Sequence, residues 1–235
     1  EFTDNGYGKL EVFEDTAYAS VEAEINEVLS SRILEYAKAK KITVNSYFQG
    51  CWAILISEAE QSNDVVSGYV SSGRDMFSEE MLETVGLFTN IVPLRTRLND
   101  NEHTDTYFVN VHKHINSVNQ NSILMMPAIE NIVGAPKDYF EQIPYAKTLT
   151  LVQYPVEKSD NSEFTVENVI SDTSVNVPLR AYVLIGKSIK LKLQYSSHYS
   201  KETVSDMLGR FVNIAENGIE NQLIRNIKLL RKEYV

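Results

Sequence analysis

Alternating apolar and polar residues predict β-strands near both ends of the chain. Between Leu10 and Ile25 the alternation is loose at first, and apolar side chains then recur at every second position, as in a strand with one buried face. The segments Leu179 to Ile185 and Ile189 to Tyr195 show the same period on either side of Gly186-Lys187-Ser188. This pattern predicts a hairpin whose second strand has lysines on its wet face.

Apolar residues spaced by three and four positions predict four helices, each with an apolar stripe. Thr43 and Ser200 suit the N-caps of the second and fourth helices because a hydroxyl can accept a hydrogen bond from a first-turn N–H. The predicted helices run from Glu27 to Lys40, from Val44 to Ala59, from Thr104 to Asn119 and from Lys201 to Asn217.

Short runs rich in β-branched residues predict three further strands, and Pro93 places one of them at an edge or a bulge. These strands are Asp64 to Val70, Ile91 to Arg95 and Lys147 to Tyr154. Weaker patterns predict an acidic helical turn at Ser78 to Thr84, a short helix at Pro127 to Val133 and a polar loop at Glu157 to Glu163. Strands that alternate with helices predict an α/β fold.

Composition narrows the classes of function. The chain has 235 residues, 43% of them hydrophobic, and 22 basic against 32 acidic side chains give a formal charge of −10. Such an acidic chain is a poor partner for nucleic acid or for an anionic membrane surface. The single cysteine excludes an internal disulfide framework and favours a reducing cytoplasm. No linker or membrane-length apolar run divides the chain, so we expect one domain over residues 1–235.

Common catalytic signatures are missing from the sequence. Gly186-Lys187-Ser188 resembles the end of a phosphate-binding loop, but Ala181 stands where that loop needs glycine, and two strands flank the segment. Gly6-Tyr7-Gly8 lacks the third glycine and the preceding strand of a dinucleotide site. Neither Gly-x-Ser-x-Gly nor His-Glu-x-x-His occurs.

The histidines and the cysteine are not placed for catalysis or metal binding. His112 and His114 are two positions apart on a predicted helix, about 200° around its axis, and cannot converge on one metal ion. We expect His112 to be solvated and His114 to lie at the margin of the apolar stripe. Cys51 lies on the stripe of the second helix, so we expect a core side chain rather than a nucleophile.

Three stretches, Asp64 to Arg74, Val85 to Arg95 and Leu149 to Pro155, resemble the C-terminal half of a nonribosomal peptide synthetase condensation domain. Asn119-Gln120 with Pro127 resembles a further motif of that family less closely. The resemblance extends from about Ala17 to Leu230. Its most specific part is the pattern Gly-x-Phe-x-Asn-x-x-Pro-x-Arg, matched at Gly86, Phe88, Asn90, Pro93 and Arg95.

The resemblance implies a lobe with the chloramphenicol acetyltransferase-like fold, in which a mixed β-sheet packs against helices. The family's His-His-x-x-x-Asp-Gly motif lies in its N-terminal lobe and is absent from these residues. Gln153 also stands where the family usually has Asn. We therefore expect the C-terminal lobe alone, a piece of something longer, since the chain opens with Glu1-Phe2-Thr3 rather than with methionine.

By resemblance, the intact domain joins two thioesters, carried on the phosphopantetheine arms of carrier proteins, through an amide bond in antibiotic biosynthesis. This lobe would supply one wall of the substrate tunnel, part of the carrier-protein docking surface and the contact with the N-terminal lobe. It would bind no cofactor directly and would be inactive alone. The residues that the resemblance assigns to the tunnel or to the lobe interface are Ser71, Gly73, Arg74, Asn90, Arg95 and Tyr154.

Other interpretations stay open at this point. Gly73 is also explained by backbone conformation, Arg74 by a neighbouring carboxylate, and Asn90 by hydrogen bonds to backbone. A segment between Glu157 and Val175 is the candidate for an arm that reaches the other lobe. The alternative functions are a non-catalytic module that binds carrier proteins or the complementary lobe, and a fragment of a coenzyme A-dependent acyltransferase of the same superfamily.

Overall fold

Strands and helices alternate along the chain, as the sequence pattern predicts. The computed structural model describes residues 18–72, 85, 89–121, 147–153 and 178–229. Its strands are β1 (Ala19–Ile25), β2 (Asp64–Ser71), β3 (Asn90–Arg97), β4 (Lys147–Gln153), β5 (Leu179–Ile185) and β6 (Ile189–Tyr195). Its helices are α1 (Glu27–Ala39), α2 (Val44–Glu60), α3 (Thr104–Asn119), α4 (Lys201–Asn217) and α5 (Ile224–Leu229).

The strands form one mixed sheet in the order β1-β6-β5-β4-β2-β3. Strand β4 runs parallel to β2 and β5, and the other neighbours are antiparallel. Strand β3 forms an edge, which confirms the prediction from Pro93, a residue that cannot donate to a ladder. A mixed sheet with helices confirms the predicted fold class.

One face of the sheet carries the core. Register places Val92, Tyr69, Leu149, Ala181, Leu193 and Val21 in one row across all six strands. Against this helix-covered face lies an aromatic layer in which the ring centroids of Trp52 and Phe211 are 5.5 Å apart and those of Tyr47 and Phe108 are 4.5 Å apart. We call the opposite face the outer face.

Side chains cap three of the helices. The Thr43 and Ser200 hydroxyls each accept a hydrogen bond from the backbone three residues on, at 3.1 Å, which confirms both predicted caps. Asn26 caps α1 in the same way at 2.9 Å and was not predicted. Each cap satisfies an N–H that the helix leaves without a partner.

Residues 186–188 form the turn of the predicted hairpin, closed by a 3.1 Å hydrogen bond from the Gly186 N–H to the Ser188 carbonyl. A turn between antiparallel strands excludes the phosphate-loop alternative for this segment. Among the helices described, none is long and apolar enough to cross a membrane. Several predictions lie outside the described residues: the part of the first strand before Tyr18, the turn at Ser78 to Thr84, the helix at Pro127 to Val133, the loop at Glu157 to Glu163 and the arm between Glu157 and Val175.

Candidate functional site

Two of the candidate residues meet where β2 ends and β3 begins. Ser71 and Asn90 pair in register on the helix-covered face, and Ser71 is only 4% exposed. The Ser71 hydroxyl donates to Oδ1 of Asn119 over 3.3 Å. Because Asn119 is the last residue of α3, this bond ties the end of a helix to the end of a strand pair.

These three side chains can form hydrogen bonds but cannot exchange protons near neutral pH. A hydroxyl and two carboxamides contain both donors and acceptors of hydrogen bonds. General acid–base catalysis needs a group whose pKa lies near the working pH. Ser71, Asn90 and Asn119 therefore provide hydrogen-bonding groups and no proton acceptor for such catalysis.

Arg95 lies apart from this cluster. It is five positions from Asn90 along β3, about 17 Å at ~3.4 Å per residue, and on the exposed outer face. Its Nε and Nη2 donate to Asp64 at 2.7 and 2.6 Å, and Arg97 adds a contact at 3.3 Å. The hydrogen bonds from Arg95, and then from Arg97, lower the pKa of Asp64 below its ordinary value. In this structure Arg95 binds the first residue of β2 to β3.

Gly73, Arg74 and Tyr154 lie outside the described residues, as do Gly86 and Phe88. Their roles in the tunnel or the lobe interface stay predictions. The structure therefore brings together Ser71 and Asn90 from the predicted set and adds Asn119, which belongs to the weakest of the motif matches in the sequence. Its position at the C-terminus of a correctly predicted helix was the signal that could have singled it out.

His112 is half-buried, so the prediction that it is solvated was wrong. Its Nδ1 lies 2.9 Å from the Ser46 hydroxyl on α2, and Nδ2 of Asn116 donates to its Nε2 over 3.2 Å. An Nε2 that accepts from Asn116 puts the ring proton of the neutral imidazole on Nδ1, and in that tautomer His112 donates to Ser46 and does not activate it as a nucleophile. His114 is exposed, which agrees with its predicted place at the margin of the apolar stripe.

Cys51 is fully buried, which confirms that it belongs to the core. Burial raises the pKa of its thiol, and the neutral thiol is a poor nucleophile. Burial also raises the pKa of Tyr36, and the hydrogen bond that it donates to Asp105, at 2.8 Å, acts in the same direction. Within residues 18–229, as far as they are described, no group of three His, Cys, Asp or Glu side chains could hold a metal ion.

Comparison with known proteins identifies the family. The family model named Condensation domain matches residues 12–233. Bacitracin synthase 3 of Bacillus licheniformis is 23% identical over 234 residues, 97% of this chain but 4% of that protein. The condensation domain of the Monacolin K polyketide synthase MokA has a TM-score of 0.75 at 15% identity, over 88% of this chain and 48% of the other.

A further solved structure, the complex of the X-domain and OxyB from teicoplanin biosynthesis, has a TM-score of 0.73 at 16% identity. That match covers 90% of this chain and 48% of the other. At these identities the structural matches establish the fold. The chain thus spans a small part of the synthetase that it matches and about half of the matched structures. Since the family model covers nearly the whole sequence, the chain belongs to the Condensation domain family.

Proposed function

We propose that this chain is part of a nonribosomal peptide synthetase domain that forms an amide bond between substrates tethered to carrier proteins. The observation that carries this proposal is the family match over residues 12–233. The sequence supports it through Gly86, Asn90, Pro93 and Arg95, which fit one motif of the family in order. The substrates would arrive on phosphopantetheine arms in the cytoplasm, and no cofactor would be bound by the lobe itself.

The chain would act as the C-terminal lobe of that domain. It covers 48% of the MokA condensation-domain chain, and its sequence contains no His-His-x-x-x-Asp-Gly. In the proposed arrangement the missing acid–base group comes from an N-terminal lobe, and this lobe supplies a tunnel wall and a surface for carrier proteins. Holding two reactants in register lowers the barrier by several kcal/mol, a contribution that needs both walls of the tunnel.

Ser71 and Asn90 are the described residues best placed to shape that wall. They lie at the end of a strand pair, where the Ser71 hydroxyl is bonded to Asn119, and their side chains are polar without being titratable. Their proposed role is to orient a substrate carbonyl or amide. The resemblance adds Gly73, Arg74 and Tyr154 to the residues proposed for the tunnel or the lobe interface. Arg95 would contribute to them from the outer face, where it is exposed.

Complementation tests the division of labour. The purified chain is mixed with two loaded carrier proteins, with and without a separately produced N-terminal lobe, and the dipeptidyl thioester is followed by mass spectrometry. We expect no product from the chain alone and product when the second lobe is added. Turnover by the chain alone would contradict the proposal, and so would a failure of the matched lobes to form product once their association has been measured.

A point variant tests the site. In the complemented enzyme, Asn90→Ala should lower kcat by about 10- to 100-fold because a misplaced substrate loses the benefit of orientation. Arg97→Ala is the matched control, since Arg97 is an exposed residue of the same strand. An unchanged kcat for Asn90→Ala, with a circular dichroism spectrum like that of the wild type, would remove Asn90 from the site.

A second candidate function is a non-catalytic binding module. The observation that favours it is the match to an X-domain solved in complex with OxyB. Titration of the chain against carrier proteins and against the N-terminal lobe distinguishes the two, because a preformed interface of ~600–1,500 Å² should bind measurably. Binding without any product from the complemented lobes would favour the module.

A further inference from the structure

A half-buried arginine on the outer face has one edge of its guanidinium held and the other free. Arg180 lies on β5, and its Nη1 donates to the Tyr182 hydroxyl over 3.1 Å. That hydroxyl donates in turn to Oε1 of Gln194 on β6, also over 3.1 Å. The guanidinium carbon lies 5.2 Å from the centre of the Tyr182 ring. These contacts fix the orientation of the guanidinium through Nη1 and leave the Nε edge without a partner.

Three hydrogen-bond donors in this patch are shielded from solvent and have no partner. They are Nε of Arg180 and the hydroxyls of Thr148 and Thr150. Thr148 is fully buried, and register places it beside Arg180 and places Thr150 beside Tyr182. Buried donors are costly to leave unpaired, and native proteins pair nearly all of them. Three of them on adjacent strands therefore indicate a missing acceptor.

The charge of Arg180 is also uncompensated within the described residues. Arg210, the other half-buried arginine of that part of the chain, binds the carboxylate of Glu58. Among the described side chains, no carboxylate lies within ion-pair distance of Arg180, whose contacts there are those with Tyr182. The remaining described arginines are exposed to solvent, namely Arg32, Arg95, Arg97 and Arg225.

We propose that Arg180, Thr148 and Thr150 form a binding site for a carboxylate on the outer face of the sheet. A carboxylate supplies a negative charge and two coplanar acceptor oxygens, which match the side edge of a guanidinium in a bidentate contact. The threonine hydroxyls would donate to the lone pairs that remain. The carboxylate belongs either to a small molecule or to an acidic side chain of a docking polypeptide. The site does not depend on amide synthesis by the domain.

The direct test observes the Arg180 Nε–H signal of the full chain by nitrogen-15 NMR, assigned by its loss in Arg180→Lys. We expect saturable movement of this signal on titration with sodium acetate and sodium succinate, and no such movement with sodium chloride at equal ionic strength. A capped glycyl-glutamyl-glycine peptide forms the second arm. Tighter binding of the peptide points to a polypeptide ligand, and tighter binding of the free acids points to a small molecule.

Variants of Arg180 distinguish the contribution of its planar pair of N–H donors from that of its positive charge. Backbone amide shifts near Thr150 report binding where the Arg180 signal is lost. Arg180→Lys should weaken acetate binding about tenfold, because lysine keeps the charge and loses the planar fork. Arg180→Gln should abolish binding, and Arg97→Gln, an exposed arginine of the same face, should leave it unchanged. No movement of the wild-type signal at about 100 mM acetate, far above a millimolar Kd, would overturn the proposal, as would equal affinity in Arg180→Gln.

Discussion

Arg210 and Arg180 are both half-buried, but they lie on opposite sides of the sheet. Arg210 is fully paired and suits a role in stability, whereas Arg180 is only partly paired and suits a role in binding. Among the helices, Arg210 uses its whole guanidinium. It binds both oxygens of Glu58, at 2.9 and 2.5 Å, and donates to Oδ1 of Asn213 and to the carbonyl of Ile227, each at 2.5 Å. On the outer face, Arg180 is held by a tyrosine and keeps a free donor beside two unpaired hydroxyls.

The two arginines show on which side of the sheet a buried charge is fully paired by described residues. A buried charge is tolerated when a partner and hydrogen bonds compensate for its loss of hydration. The helix side meets that condition within the chain and joins α2, α4 and α5 through one guanidinium. The outer face does not meet it among the described residues. We therefore expect variants on the helix side to lower stability and variants on the outer face to change binding with little loss of stability.

The largest expected effect follows from breaking the Arg210 network. Arg210→Met leaves the Glu58 carboxylate buried without a counter-ion, since its side chain is only 8% exposed. Removing one partner of a buried pair costs about 3–5 kcal/mol, which urea denaturation of the chain would measure. Arg32→Met is the matched control, because Arg32 and Glu220 are more than half exposed and such pairs contribute less than about 1 kcal/mol. Equal losses in the two variants would contradict the comparison.

Two helical glycines test how tightly the helix side is packed. A Cβ at Gly50 would lie 2.7 Å from Cδ1 and Cε1 of Phe108, a fully buried ring, whereas a Cβ at Gly209 meets nothing within 4 Å. Gly50→Ala should cost about 1–3 kcal/mol through overpacking, although alanine favours helices. Gly209→Ala should gain about 0.5–1 kcal/mol. The two midpoints in urea should move in opposite directions, and a rise of the midpoint in both variants would show that the Phe108 ring yields.

Local periodicity explains why most elements could be predicted from the sequence. The bounds of α3 and of the β5–β6 hairpin agree with the predictions because side-chain spacing alone sets them. The order of strands could not be predicted, since pairing joins segments far apart in the chain. His112 was misplaced for the same reason: its partner, Ser46, comes from another helix.

The candidate site was predicted less well than the fold. The resemblance grouped Arg95 with Ser71 and Asn90, but Arg95 comes five positions after Asn90, and an odd separation puts two side chains on opposite faces of a strand. That signal was available in the sequence. The bond between Ser71 and Asn119 could not be predicted from the sequence, because it depends on how α3 packs beside β2. The free edge of Arg180 was equally hidden, because it depends on what its cross-strand neighbours leave unpaired.

Matched threonine variants compare unpaired and paired hydroxyls directly. Thr148 and Thr104 are both fully buried, but Thr104 donates to the Glu220 carbonyl over 2.7 Å, whereas Thr148 has no partner. Thr104→Val should cost about 1 kcal/mol, and Thr148→Val should be neutral or gain up to about 1 kcal/mol, since it removes an unpaired polar group. Urea denaturation without added carboxylate would measure both. A loss in Thr148→Val as large as that in Thr104→Val would mean that the Thr148 hydroxyl is paired in the free chain.

The smallest effect is expected at the exposed pair between Asp64 and Arg95. The folded state lowers the pKa of Asp64, so the stabilisation is fully present above the ordinary pKa of about 4 and is lost as the pH falls through the lowered value. The Asp64 side chain is 42% exposed, and solvent screening limits the pair to about 0.2–1 kcal/mol. Asp64→Asn should therefore reduce the free energy of unfolding slightly at pH 7 and not at about pH 2, and 1 M NaCl should shrink the difference at pH 7. A larger loss than in Arg210→Met would reverse the comparison, because the outer face would then hold the chain's principal stabilising ion pair.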